Sequence, residues 1–206
     1  IDVNLKKTDG YTALMWAARY GCLDIVNALL AKDGVDVNLQ NRNGDTALIW
    51  AAAIGHLDIV KALLAQPDID VNLKKTDGYT ALMWAARYGC LDIVNALLAK
   101  DGVDVNLQNR NGDTALIWAA AIGHLDIVKA LLAQPDIDVN LKKTDGYTAL
   151  MWAAQNGCLG IVNELIAKDG IDVNLKDTIG NTALILAVQN GHLDIVKALL
   201  AKDGVD

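Results

Sequence analysis

The chain has 206 residues, 53% of them hydrophobic, and a formal net charge of −7 at pH 7. No apolar run approaches the roughly 20 residues of a membrane span, so the sequence predicts a soluble chain with no membrane partner. Its acidic balance argues against a general nucleic-acid binder, which needs clustered Lys and Arg.

Ile1 opens in mid-unit, with neither an initiator Met nor a charged-then-apolar leader, which reads as an excerpt rather than a natural start. Asp9-Gly10 is the first turn signal, with Gly supplying a positive φ. Thr12 follows as a helix N-cap candidate. Leu14, Ala17 and Ala18 share one side of the helix it begins, and the alanines admit a close neighbour. Gly21 is placed to end that helix in the left-handed conformation.

A second helix is predicted from about Leu23 to Ala31, with Ile25, Val26, Leu29 and Leu30 as its apolar stripe and Asp24 in its first turn. Lys32-Asp33-Gly34, or Gln66-Pro67-Asp68 in the alternate unit, stops it. Asp36-Val37-Asn38-Leu39 then reads as a short extended arm leading to the next turn.

This pattern recurs at one spacing. The turn glycine returns as Gly10, Gly44, Gly78, Gly112, Gly146 and Gly180, 34 residues apart. A higher period lies over it: residues 69–136 repeat residues 1–68 without a change, and the identity runs on to residue 154 before breaking at Gln155. Such identity implies recent duplication or deliberate construction. Helices this short are not stable alone, and one pair cannot bury its apolar face without neighbours. The chain is therefore expected to be an all-α solenoid of helix-turn-helix units joined by hairpin-like loops. The expected organisation is one array over residues 1–206, with helix pairs at about 12–31, 46–65, 80–99, 114–133, 148–167 and 182–201.

The unit resembles the ankyrin repeat along essentially the whole chain. The residues that carry the likeness are G-x-T-x-L and A-A-x-x-G-H-L-x-I-V, from Gly44 to Val60, and G-x-D-V-N, from Gly34 to Asn38. The units depart from the family's Thr-Pro-Leu-His, carrying TALM at Thr12, Thr80 and Thr148 and TALI at Thr46, Thr114 and Thr182. The resemblance implies a protein-interaction module that binds a partner protein or peptide along a concave groove lined by the turns and the first helices. It places Thr8, Asp9, Tyr11, Arg19 and Tyr20 at positions that vary between family members to suit different ligands.

The residues themselves point to the same face. Trp16, Arg19 and Tyr20 come together by helical spacing, with Tyr11 at the turn before them. The candidate partner-binding set is Thr8, Asp9, Tyr11, Trp16, Arg19, Tyr20, Arg42, Asp45, Trp50, Ile54, Tyr79, Trp84, Arg87, Tyr88, Arg110, Asp113, Trp118, Tyr147 and Trp152. The tryptophans also fit a purely structural role, each packed on its own turn arm. Neighbouring copies are expected ~10 Å apart, beyond the ~4.5–7 Å of direct ring stacking, which excludes a continuous tryptophan ladder. The turns and this face hold 11 of the 18 basic residues, among them Lys6, Lys7, Lys74, Lys75, Lys142, Lys143 and Lys176. A basic groove on an acidic body would favour an acidic or phosphorylated peptide, and the same lysines also fit simple solvation.

Cys22, His56, Cys90, His124, Cys158 and His192 occupy one equivalent position, too widely spaced for a disulfide or a shared metal, so neither metal nor cofactor is expected. Dispersed, odd-numbered cysteines suit a cytosolic setting. No Ser, no Cys-His pair and no phosphate loop is present, and no catalytic activity is expected. The first and last units keep the interior apolar pattern, so either the native protein continues beyond both ends or the ends support head-to-tail self-association; a structural or engineered array with no physiological ligand is the alternative function.

Overall fold

The computed structural model describes residues 2–202 and residue 204. Twelve α-helices and no strand occur among the described residues. They are α1 (Ala13–Arg19), α2 (Leu23–Leu30), α3 (Ala47–Ile54), α4 (Leu57–Leu64), α5 (Ala81–Arg87), α6 (Leu91–Leu98), α7 (Ala115–Ile122), α8 (Leu125–Leu132), α9 (Ala149–Gln155), α10 (Leu159–Ala167), α11 (Ala183–Gln189) and α12 (Leu193–Leu200). The chain divides into two compact units, Ile1–Asn109 with α1 to α6 and Arg110–Asp206 with α7 to α12.

Local chemistry starts each odd-numbered helix. Thr12 Oγ1 accepts from the Met15 N–H at 3.3 Å and Thr46 Oγ1 from Ile49 at 3.1 Å. The same bond forms at Thr80, Thr114, Thr148 and Thr182. An aspartate in the first turn faces the positive end of the dipole in α2, α4, α6, α8 and α12, whereas α10 has Gly160 there and no acid in that turn.

Within each unit the helices form two layers. In the first unit α1, α3 and α5 pack side by side, α2, α4 and α6 do likewise, and each odd helix packs on the even helix that follows it. In the second, α7, α9 and α11 form one layer and α8, α10 and α12 the other. The alanines Ala18, Ala52, Ala86, Ala120 and Ala154 are sealed between neighbours. Around them Leu63, Leu97, Leu131 and Leu165 are fully buried, each contributing about 1.5–3 kcal/mol.

The turn glycines serve more than local geometry. Gly44 has φ 77°, and a Cβ there would stand 2.8 Å from the Lys75 Cα and the Thr76 N of the next repeat. This close approach lets the Thr76 N–H donate to the Asn43 carbonyl at 2.9 Å; Arg42 to Asp9, Thr144 to Asn111 and Thr178 to Asp145 repeat the bond.

The Asp36–Leu39 segment is not extended. Val37 and Asn38 form a turn in which the Asp36 carboxylate accepts from the Asn38 N–H at 2.9 Å, an Asx turn that competes successfully with an open strand. The turn aims Asn38 at the next repeat: its Nδ2 donates to the Asp68 carbonyl at 2.7 Å and its Oδ1 accepts from the Asp70 N–H at 2.9 Å. Asn4 makes the same pair of bonds to Gly34 and Asp36, Asn72 to Gly102 and Asp104, and Asn140 to Gly170 and Asp172. A side-chain amide thus does between repeats what a strand ladder would have done.

Candidate partner-binding face

The turn before each odd helix and the exposed side of that helix converge on a tryptophan. In the first repeat the Tyr11 ring lies 4.6 Å from Trp16, and Tyr20, one helical turn on, stacks at 5.5 Å with its plane 13° away. Trp16 is held between two tyrosines. The Arg19 guanidinium sits 5.3 Å from Trp16 and 4.5 Å from Trp50, and Tyr11 reaches Trp50 at 6.1 Å. The tryptophans are thereby linked across repeats through Tyr11 and Arg19 rather than through each other, a bridge that the inter-repeat distance alone did not reveal.

The third repeat rebuilds the cluster. Tyr79 stacks on Trp84 at 4.8 Å, Tyr88 at 5.5 Å, and Arg87 lies 5.4 Å from Trp84. The indole N–H groups of Trp50, Trp84 and Trp152 are buried without a hydrogen-bond acceptor, a desolvation cost that the ring contacts must offset. In the second unit the cluster is reduced. Tyr147 meets Trp152 at 5.1 Å, its hydroxyl donates to Gln155 Oε1 at 2.9 Å, and Asn156 stands where Tyr20 and Tyr88 stand in the first unit.

The candidate residues fall into three environments. Thr8, Tyr20, Arg42, Ile54, Tyr88 and Arg110 are exposed, Tyr20 at 68% and Tyr88 at 55%. Asp9, Tyr11, Trp16, Arg19, Trp50, Tyr79, Trp84, Arg87, Trp118, Tyr147 and Trp152 are half-buried. Asp45 and Asp113 are buried and turned inward. Asp45 lies 3.2 Å from the Lys75 ammonium and accepts from Asn41 Nδ2 at 3.0 Å, and Asp113 lies 3.4 Å from Lys143.

These braces consume much of the basic charge at the turns. Lys75 also faces Asp77 at 3.9 Å, and Lys143 faces Asp145 at 3.6 Å. The ammonium groups of Lys6, Lys74 and Lys142 donate to the carbonyls of Gln40, Gln108 and Lys176 in the following repeats. The lysines sew neighbouring repeats together, and the exposed cations of the face include Lys6, Lys74 and Lys142 as well as Arg42 and Arg110. Asn41 is a bracing residue that the sequence marks only by its return as Asn109, and Asn38, expected in an extended arm, instead braces the next repeat, its return as Asn72 and Asn106 being the visible signal.

The last repeat reverses one pair. Asp177 stands where Asn41 does and Asn181 where Asp45 does, each offset by four repeats. The buried Asp177 carboxylate would be pushed up by desolvation. Hydrogen bonds from the Asn181 side chain and from the backbone N–H groups of Asn181, Ile179 and Gly180 outweigh this and hold it below the ordinary carboxylate range. Burial and the nearby carboxylates of Asp177 and Asp145 push the Tyr147 hydroxyl up.

At the other end of the odd helices, the Cys and His residues pack between repeats. A Cβ on Gly21 would stand 2.8 Å from the His56 ring, and His192 Nε2 lies 3.0 Å from the Gln155 carbonyl. Burial pushes the Cys90 and Cys158 thiols up, away from the reactive thiolate. Among the described residues no cluster of His, Cys, Asp or Glu is arranged to hold a metal, and no helix is long and apolar enough to cross a membrane.

Family models for ankyrin repeats match this chain, one described as ankyrin repeats (3 copies) at residues 33–109, 101–177 and 138–206, the other as ankyrin repeats (many copies) at residues 1–51. The chain belongs to the ankyrin repeat family. Among solved structures it is similar to EF0377, described as an ankyrin repeat protein, at 31% identity over 98% of this chain and 100% of that one, with a TM-score of 0.87. It is also similar to an ankyrin repeat domain (ABAYE2397) from Acinetobacter baumannii AYE, at 31% identity, 92% and 96% coverage and a TM-score of 0.84. The ankyrin repeat domain of Bcl-3, a member of the IkappaB protein family, matches at 28% identity over 97% of this chain and 86% of that one, with a TM-score of 0.83. A comparison with curated protein sequences gave no match. Ankyrin repeats are generally protein–protein interaction modules, and the fold is generally non-catalytic.

Proposed function

We propose that this chain binds an acidic or phosphorylated segment of a partner protein on the face built by Tyr11, Trp16, Arg19 and Tyr20 and by Tyr79, Trp84, Arg87 and Tyr88. The observation that carries the reading is the clamped arginine: Arg19 lies against Trp16 and Trp50, with the exposed Tyr20 stacked beside it. Ordered before any ligand arrives, such aromatic and arginine groups lose little entropy on binding and are the usual energetic centres of protein interfaces. Selectivity for acidic ligands rests on Arg19, Arg42 and Arg87, with the exposed ammonium groups of Lys6 and Lys74 adding to the positive field. A peptide array presenting acidic, phosphorylated and neutral segments tests this. Acidic or phosphorylated peptides are expected to bind in a salt-sensitive manner and to lose about tenfold or more with Arg19→Ala and Arg87→Ala together; equal binding of neutral peptides, or no loss in the double variant, overturns it.

A second reading, a duplicated or engineered structural array whose copies stack end to end, is supported by the outer surfaces of the first and last repeats. Ile25 is 53% exposed where its counterparts Ile59 and Ile93 are 2% exposed, and Leu200 is 60% exposed.

A further inference from the structure

Two helix sequences meet in the first unit, where α4 packs on both α2 and α6, and each has a side left uncovered elsewhere. LDIVKALL forms α4, and it returns letter for letter as α12; LDIVNALL forms α6, and it is also α2. Within the first unit α4 packs on α6. That contact covers Ile93 to 2% exposure, and the Lys100 ammonium reaches back to cap the end of the preceding helix, donating to the Leu64 carbonyl at 3.0 Å and the Gln66 carbonyl at 3.4 Å.

α2 presents the same surface exposed. Ile25 is exposed, Lys32, the counterpart of Lys100, is exposed, and a groove of about 640 Å³ runs between them, lined by Val3, Asp24, Ile25, Ala28, Leu29 and Lys32. α12 presents the complementary side. Leu200 is 60% exposed, and beside it in α11 Ile185 is 41% exposed where Ile49 is at 2%, and Val188 is 60% exposed where Ala52 is at 0%. An apolar surface of this kind on each end is costly to leave in water.

We infer that copies of this chain join head to tail in one register, with α12 of one molecule seated on α2 of the next as α4 sits on α6. Leu200 then enters the groove at Ile25 and Ala28, and the Lys32 ammonium takes the Leu200 carbonyl as Lys100 takes that of Leu64. Two contacts of the internal junction are not reproduced: Asn181 stands where Asp45 meets Lys75, so Lys7 gains no carboxylate there, and Lys176 stands where the Gln40 amide donates to the Lys74 carbonyl, so the junction is weaker than the internal one. The contact is heterologous, so addition continues beyond the dimer unless the assembly closes on itself. This register rests on the self-stacking reading, and the two fail separately in one experiment.

Sedimentation velocity is run from micromolar to millimolar concentration on the wild-type chain, on Ile25→Glu, on Leu200→Glu and on an equimolar mixture of the two variants, with circular dichroism confirming retained helix at these exposed sites. The wild type is expected to grow with concentration, each variant alone to stay monomeric, and the mixture to form dimers and nothing larger, because it retains one intact pair of faces. Lys32→Ala, which removes the ammonium together with the stem that lines the groove, is expected to weaken wild-type association by about three- to tenfold. A wild type that stays monomeric throughout overturns the self-stacking reading together with the register. A wild type that assembles while either single variant still assembles, or while the mixture stays monomeric, or while Lys32→Ala has no effect, overturns the register alone.

Discussion

The turn of the second repeat and the turn of the sixth solve the same problem with the charge in opposite places. In the first, Asn41 Oδ1 accepts from the N–H groups of Asn43 and Asp45, both at 2.9 Å, and the amide passes a hydrogen bond on to the Asp45 carboxylate. In the second, Asp177 Oδ1 accepts from Ile179 at 2.9 Å and Asn181 at 2.8 Å, and Asp177 Oδ2 accepts from Asn181 Nδ2 at 2.9 Å. The wiring is unchanged. A carboxylate at the first position is met by backbone N–H groups and needs no cation, whereas one at the second is met by a single amide and is completed by Lys75. A buried charge can therefore be balanced by aligned dipoles or by an ion, and the choice decides how much basic charge the neighbouring repeat must commit.

The largest effect is expected from breaking the dipole-held site. Asp177→Ala orphans three donors and should cost about 2–3 kcal/mol at neutral pH, measured by urea unfolding. Because the folded carboxyl is held below its ordinary value, the folded state binds the proton less readily than the unfolded state, and protonation favours unfolding. The stability that Asp177 supplies is complete above the unfolded value of about 3.9 and is lost as pH falls through the lower folded value. The gap between wild type and Asp177→Ala should accordingly narrow on acidification; a gap that stays constant to low pH would sink this account of the site.

A smaller loss is expected at the ion-held site. Lys75→Met keeps the apolar stem but leaves Asp45, 4% exposed, with Asn41 alone, and it removes the ammonium 5.3 Å from the Trp84 ring. The Lys75 side chain is 19% exposed, so the solvent screens part of the pair, and about 1–2 kcal/mol is the expected cost. Asp45→Asn should abolish most of that cost in the double variant, since no buried charge then remains. Additive losses in the cycle would mean that the two groups are not coupled.

How far the sequence revealed these features follows from the range over which each is built. The threonine caps and the turn glycines act within three or four residues, and Thr12, Thr46 and Gly44 were readable from their own neighbours. The pairing of Trp16 with Arg19 and Tyr20 followed from helical spacing. Asn38 reads from its neighbours as part of an extended arm because its partners, Asp68 and Asp70, lie 30 and 32 residues on and are reached only once the repeats are stacked. Asp45 and Asp9 look alike as acids flanking a turn glycine. Asp45 follows its glycine and points toward the next repeat's lysine, while Asp9 precedes its own and accepts from Tyr11 in the same turn. Side-chain direction, which residue type does not encode, separates the buried brace from the half-exposed residue.

The smallest expected effect is a gain, and it tests whether local helix chemistry is independent of the junctions on either side. Gly160 occupies the first turn of α10 where every other even helix carries aspartate. Gly160→Asp restores a negative charge at the positive end of the dipole and removes the conformational freedom of a glycine in the unfolded chain, together about 0.5–1.5 kcal/mol. A Cβ at this position meets only the Leu125 side chain, at 3.3 and 3.7 Å, and the corresponding aspartates in the other repeats already carry that atom. Gly160→Ala supplies the entropy without the charge, so the difference between the two variants isolates the dipole contribution, which should shrink as salt is raised. An unchanged or lower urea midpoint for Gly160→Asp would show that the Leu125 contact resists the added atom and that the helix start is set by packing rather than by charge.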